Sequence, residues 1–95
     1  MNNYELVYVL KPAIEDETKE AVLDKVKSVI EASGEVVKVD VWGVKRLAYE
    51  IQKLREGYYV LVEFKSTTDV PTELDRNLKI NDNVIRHMVI NIDEK

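Results

Sequence analysis

The sequence predicts an α+β fold in which four antiparallel strands form one sheet and two helices pack on one of its faces. Four segments rich in β-branched and aromatic residues alternate with two segments of helical periodicity, so that the elements follow the order βαββαβ. The 95 residues suffice for one domain with its own hydrophobic core, and we expect that domain to span 1–95. The absence of cysteine excludes disulfides and zinc–thiolate sites.

The first half of the chain predicts a strand followed by a helix. Residues 4–10 carry apolar side chains at both strand parities, which is typical of a strand covered on both sides. Residues 16–33 are predicted to be helical, because apolar residues recur every three or four positions between Val22 and Ile30. Acidic residues in the first turn favour the positive end of the helix dipole. We interpret Gly34 as the glycine that ends this helix.

The second half predicts a hairpin, a helix and a last strand. A long strand is expected over 36–51, a short basic connection over 53–57 and a third strand over 58–64. Two strands joined by so short a connection are typical of an antiparallel hairpin. The second helix is expected at 71–79, and the fourth strand at 84–92 leads into a solvated end.

This order is that of the ferredoxin-like split βαβ fold, which leaves one face of the sheet without helices. If the parity of Leu6 and Tyr8 faces the helices, the other parity leaves a contiguous apolar surface. An apolar area of that size is typical of a protein interface, although exposed valines on a sheet can also do without a partner. The residues predicted to bind a protein partner are Val7, Val9, Tyr59 and Leu61.

Basic residues are concentrated at the predicted hairpin. Gly43 interrupts the second strand and predicts a bulge, which would re-aim Lys45 and Arg46. The span 42–55 holds four basic residues and one acid, hence +3, whereas the whole chain has a net charge of −4. Lysine and arginine suit phosphate oxygens, so a nucleic-acid contact competes with the simpler interpretation of a solvated hairpin.

The sequence offers little support for a catalytic function. The only histidine, His87, lies inside a predicted strand, where a lone imidazole is usually structural. The glycines are isolated and form no phosphate-binding loop. The stretch 57–64 superficially matches the third-strand motif of RNA-recognition motifs but is one residue out of register. We therefore expect no enzyme, no cofactor and no metal.

No apolar run approaches the roughly 20 residues of a membrane helix, and no signal peptide is visible, so a cytoplasmic protein is the simplest interpretation.

Several motifs together resemble a known family. The residues Trp-Gly-Val-Lys-Arg-Leu-Ala-Tyr-Glu-Ile at 42–51 are the most specific of them. The others lie at Tyr4-Glu5, Pro12, Gly34, Gly57-Tyr58 and 80–86. They resemble the sixth protein of the bacterial small ribosomal subunit over nearly the whole chain.

The resemblance implies a ferredoxin-like fold, no catalysis and a structural role in assembling the central domain, or platform, of the small subunit in the cytoplasm. It also implies binding to small-subunit (16S) ribosomal RNA as a heterodimer with small-subunit protein eighteen, with no small-molecule substrate. Val44 stands where the family usually has a basic residue, which implies a weaker charge there. The competing interpretation is a ferredoxin-like protein-interaction or ligand-sensing module without RNA. The candidate RNA contacts, in order, are Lys45, Arg46, Arg86, Lys79 and Tyr4.

Overall fold

The structure, a computed structural model, describes residues 1–51 and 53–93. The last two residues of the expected solvated end, 94–95, lie outside the described part. The elements follow the predicted order: β1 (Asn2–Leu10), α1 (Asp16–Glu31), β2 (Gly34–Ile51), β3 (Leu54–Ser66), α2 (Val70–Lys79) and β4 (Val84–Asn91).

The four strands form one antiparallel sheet in the order β2-β3-β1-β4, which confirms the predicted ferredoxin-like fold. β1 is therefore an inner strand, as its two apolar parities predicted. The expected basic connection at 53–57 is wrong, because Ile51 already pairs with Leu54 and most of that segment belongs to β3. The turn is tight, and Lys53 adopts a positive φ of 65° within it.

The core lies between both helices and one face of the sheet. α1 contributes Val22, Val26 and Ile30, at the spacing that the sequence predicted. The strands contribute alternate residues, among them Leu6 and Tyr8, which are fully buried. Fully burying an aliphatic side chain such as that of Leu6 stabilises the fold by about 1.5–3 kcal/mol. Burial raises the pKa of the Tyr8 hydroxyl and a neighbouring tyrosine raises it further, so this group stays protonated within the core.

Gly34 has a different role from the predicted one. α1 ends at Glu31, and the next residue, Ala32, keeps a right-handed helical conformation without any glycine. Gly34 instead begins β2, where a Cβ atom would lie 2.1 Å from the carbonyl oxygen of Lys65 on β3. The glycine is therefore required by the close approach of two strands and does not cap the helix.

The predicted bulge at Gly43 is confirmed. Val41 pairs with Val60 and Gly43 with Tyr59, so Trp42 is an extra residue on β2, and Gly43 has a φ of 79°. A bulge of this kind bends the strand and strengthens its twist. It lies where the β2–β3 hairpin begins to extend beyond the rest of the sheet.

The end of this hairpin folds back across the sheet. β2 and β4 are opposite edges with two strands between them. Even so, Arg86 of β4 donates a hydrogen bond to the hydroxyl of Tyr49 of β2 at 3.3 Å. The hairpin end therefore crosses above β3 and β1. Gly57 makes room for this, because a Cβ atom there would lie 2.3 Å from Cγ1 of Val9 and 3.3 Å from Cδ2 of Leu47.

Gly57→Ala is expected to lower the free energy of unfolding by about 1–3 kcal/mol, because the added methyl group overpacks the contact between the hairpin and Val9. Urea denaturation measures the change. Gly43→Ala serves as a comparison, since its Cβ would meet nothing within 4 Å and only the positive φ would be strained. Asparagine tolerates a positive φ, so Gly43→Asn should have a higher free energy of unfolding than Gly43→Ala. Gly57→Asn, by contrast, should be less stable than Gly57→Ala. Equal stability of Gly57→Ala and the wild type would contradict the close contact.

Candidate interaction face and basic hairpin

The sheet face opposite the helices, called the open face below, is built from alternate residues of all four strands. Directly paired residues of antiparallel strands point to the same side, so the register aligns them in rows across the sheet. The first row, nearest the hairpin, contains Arg86, Val9, Tyr59 and Gly43. The second row contains Met88, Val7, Leu61 and Asp40. The third row contains Ile90, Glu5, Glu63 and Lys38.

The predicted parity is therefore correct, but the expectation that all four predicted partner residues are bare is wrong. Val9 is 3% exposed and Leu61 is 8% exposed, while Val7 and Tyr59 are half-buried. Val9 is covered because the hairpin folds back onto it. The exposed apolar side chains of the open face lie instead toward its margins, at Met88, Ile90 and Trp42.

A cleft of about 250 Å³ remains between the folded-back hairpin and the sheet. Its walls are mostly apolar and come from all four strands: Val7, Val9, Leu47, Ile51, Tyr59 and Met88. The Arg86 guanidinium and the Tyr49 hydroxyl meet at its rim. Within the described residues Arg86 forms no ion pair. Its guanidinium is hydrogen-bonded to the neutral Tyr49 hydroxyl, which does not neutralise its charge.

Trp42 places one of the two leading basic residues on the open face. Its ring stacks on Tyr59 with centroids 6.3 Å apart, and Nζ of Lys45 lies 5.2 Å from the Trp42 ring centroid. The indole Nε1 donates a hydrogen bond to Asp40 at 3.1 Å. This cation–π contact orients Lys45 without neutralising it. Trp42 lies in the motif at 42–51 but was not among the predicted contact residues; an aromatic residue next to a bulge glycine was the available signal.

The other basic candidates lie toward the same end of the molecule. Arg46 is exposed and pairs in register with Glu56, on the parity opposite to Lys45. Lys79 is exposed at the end of α2, shortly before β4 begins beside the last residue of β1. Because β1 ends, β4 begins and the hairpin turns at this end, Lys45, Arg46, Lys79 and Arg86 share it.

Tyr4 does not lie with this group, and its burial argues against the RNA contact predicted for it. It is 6% exposed and lies in the core, where its ring stacks on Phe64 at a centroid distance of 5.4 Å. Its parity is that of the helix-facing side chains. It also lies near the start of β1, whereas the basic residues lie near the end of that strand.

His87 is structural, as the sequence predicted. Its Nε2 lies 2.7 Å from a carboxylate oxygen of Asp75, which connects β4 to α2. Within residues 1–51 and 53–93, no three potential metal-ligating side chains come together. No helix of the described chain has the length and apolar composition required to cross a membrane.

Three comparisons place these features among known proteins. A family model described as Ribosomal protein S6 matches residues 3–91. Small ribosomal subunit protein bS6 of Clostridioides difficile strain 630 is 64% identical over 90 residues, covering 95% of this chain and 98% of that protein. The protein of the same name from Alkaliphilus oremlandii is 57% identical over 94 residues, covering 99% and 100%. The crystal structure of 30S ribosomal protein S6 from Thermotoga maritima aligns with a TM-score of 0.90 at 27% identity, covering 98% of this chain and 89% of that one.

Val9→Glu is expected to destabilise the isolated chain by about 3–5 kcal/mol, because it places an unpaired carboxylate beneath the hairpin. Met88→Glu lies on the same face but is 47% exposed, so its cost should stay within about 0.5 kcal/mol. Thermal and urea unfolding, followed by circular dichroism, compare the two variants. Similar stabilities would show that the hairpin does not cover Val9 in solution.

Proposed function

The chain belongs to the ribosomal protein S6 family, and we propose that it binds small-subunit ribosomal RNA together with small-subunit protein eighteen, as a heterodimer that helps assemble the central domain of the subunit. It is a structural, non-enzymatic protein of the small ribosomal subunit in the bacterial cytoplasm. The observation that carries the proposal is the arrangement of two unlike surfaces side by side, a basic hairpin and a largely apolar open face. Family membership favours this function over a ligand-sensing module.

The hairpin supplies the charges for an RNA contact. Lys45 and Arg46 are exposed and form no ion pair with any carboxylate of the described residues. Arg55, by contrast, lies 4.0 Å from the carboxylate of Glu50 and is partly neutralised. A lysine and an arginine without carboxylate partners can bind phosphate oxygens without first losing a competing contact. We therefore assign the leading RNA contacts to Lys45 and Arg46, with Lys79 and Arg86 behind them.

The charge of the whole chain argues for a partner in RNA binding. The net charge is −4, and α1 with its flanks, residues 15–35, carries seven acids against three lysines. Each neutralised phosphate adds only about 0.7–0.9 to the salt slope of binding, so a handful of contacts gives weak affinity at physiological salt. Small-subunit protein eighteen would supply most of the positive charge, while this chain contributes the hairpin and a protein interface.

The open face supplies that interface. Met88, Ile90 and Trp42 expose between 41% and 47% of their surface around the half-buried Val7 and Tyr59. Methionine and aromatic residues are the types enriched at protein interfaces, and charged residues are rare in the middle of this surface. The cleft beneath the hairpin adds a concave region in which an apolar side chain of the partner can be held.

The RNA contact is tested by filter binding to a central-domain fragment of small-subunit RNA at about 0.15 M salt. The isolated chain should bind weakly and the heterodimer tightly. Lys45→Glu with Arg46→Glu should reduce the RNA affinity of the heterodimer by about tenfold or more and lower the salt slope by about 1.4–1.8, because two phosphate contacts are lost.

Lys25→Glu with Lys27→Glu on α1 is the matched control, since it changes the net charge equally but lies away from the hairpin. It should bind RNA nearly as the wild type does. Equal losses for the two double variants would mean that total charge matters and the hairpin does not. Tight specific binding by the isolated wild-type chain would contradict the need for a partner.

Met88→Glu with Ile90→Glu should leave the isolated fold intact and abolish binding to small-subunit protein eighteen, because two carboxylates would be buried without partners. Isothermal titration calorimetry without RNA measures this directly. Ile80→Glu, at a residue 76% exposed outside the open face, is the control and should bind normally. Normal binding by the double variant would place the protein interface elsewhere.

A further inference from the structure

Tyr49 is an exposed aromatic residue at the end of the basic hairpin. It follows Lys45 and Arg46 on β2 and is 63% exposed. Within the described part of the chain its ring stacks on no other aromatic ring. Trp42, by contrast, already stacks on Tyr59 and has the Lys45 ammonium over its ring. Tyr49 therefore offers an aromatic surface that its own chain leaves unused.

The Tyr49 ring is held at both ends. Its backbone belongs to the hairpin, and its hydroxyl accepts a hydrogen bond from Arg86 of β4 at 3.3 Å. The side chain also lines the cleft beneath the hairpin. A ring that lines a cleft and is still 63% exposed has one side toward the cleft and another toward solvent. The outer side is thus a flat surface that is ordered before any ligand binds, which reduces the entropy lost on binding.

The guanidinium beside this ring has unused donors. Arginine presents five N–H donors in a plane, and the hydrogen bond to Tyr49 occupies one of them. No carboxylate of the described residues pairs with Arg86, and its side chain is exposed. A phosphate oxygen can therefore reach the remaining donors without displacing the tyrosine. An aromatic surface and an unpaired cation thus lie directly side by side.

The ligand chemistry that matches this pair is a nucleotide whose base is unstacked. Its base can stack on the tyrosine ring while its phosphate binds the neighbouring guanidinium. A base inside a duplex is already stacked on both sides and has no free face. The matching nucleotide therefore comes from a single-stranded segment, such as a loop, a bulge or a junction.

The charges around Tyr49 favour RNA over an acidic or apolar protein segment. Residues 45–56 carry four basic residues and two acids, so their net charge is +2. Of the two acids, Glu50 lies 4.0 Å from the Arg55 guanidinium and is partly neutralised. Glu56 stands opposite Arg46 in the register of the hairpin. A phosphate backbone that follows the exposed basic residues of the hairpin would bring its bases to the neighbouring ring.

We propose that an unstacked base of small-subunit RNA stacks on the outer side of the Tyr49 ring while the phosphate of the same nucleotide binds Arg86. The inference rests on the proposed function and adds to it the kind of RNA that the hairpin binds. Lys45 and Arg46 contact the backbone, which is the same for every sequence and structure. Tyr49 requires a free base and thereby selects a single-stranded site.

Three variants of the heterodimer, compared by filter binding to the central-domain fragment over a range of salt concentrations, separate stacking from charge. Tyr49→Leu removes the ring and should lower RNA affinity by about fivefold or more, with the salt slope unchanged. Tyr49→Phe keeps the ring and should stay within about twofold of the wild type. Arg86→Gln should lower both the affinity and the salt slope, the slope by about 0.7–0.9.

The RNA side of the contact is tested by abasic substitutions at the unpaired positions of the same fragment. At one position, loss of the base should weaken binding of the wild-type heterodimer about as much as Tyr49→Leu does. The same abasic RNA should cost the Tyr49→Leu heterodimer little further affinity, because the base and the ring act as one contact. That position identifies the nucleotide that Tyr49 binds.

Val37→Ala, at an exposed residue near the start of β2, is the matched control for the loss of an exposed apolar group and should bind RNA as the wild type does. Circular dichroism and urea unfolding establish that each variant is folded. Equal losses for Tyr49→Phe and Tyr49→Leu would mean that the hydroxyl matters through Arg86, and would overturn the stacking contact. Unchanged RNA affinity of Tyr49→Leu would overturn it as well.

Calorimetry without RNA tests the competing use of Tyr49 by the protein partner. If Tyr49→Leu weakened binding to small-subunit protein eighteen as much as it weakened RNA binding, the ring would belong to the protein interface and the inference would be wrong. Failure of the wild-type heterodimer to bind the RNA fragment would instead overturn the proposed function. The wild-type measurement thus separates the two failures.

Discussion

The hairpin that folds back over the sheet is the constraint on which the open face depends. The helices can cover only one face of a four-stranded sheet, and β1 is largely apolar on both. The bulge at Trp42 and Gly43 bends β2. Gly57 then allows the hairpin to settle onto Val9 without a steric clash. One part of the second face is thereby buried by the chain itself, and the rest stays open.

Strand and helix periodicity predicted the fold well because each element has an apolar pattern that only one arrangement can bury. The order βαββαβ, the parity of Tyr8 and the stripe on α1 all depend on such local patterns. The burial of Val9 was not predictable in the same way, because it results from a contact between the hairpin end and a strand far away in sequence. A prediction from parity treats the sheet as open and cannot include a strand that folds back over it.

The candidate site was predicted in part for the same reason. The basic residues of the hairpin are exposed because charges on a protruding turn stay hydrated, whatever the tertiary structure. Tyr4 shares the strand parity of Leu6 and Tyr8, so the pattern that predicted those two residues to face the helices also places Tyr4 in the core. Its stacking on Phe64 follows from the pairing of β1 with β3, which the local sequence does not contain.

Positive and negative charge are separated within this small acidic chain. Negative charge gathers on α1 and at the far row of the open face, whereas positive charge gathers at the hairpin. An RNA backbone is attracted to one end and repelled by the others, so the acidic surfaces limit the ways in which RNA can approach. The basic hairpin is thus the end of this chain to which a phosphate backbone is attracted.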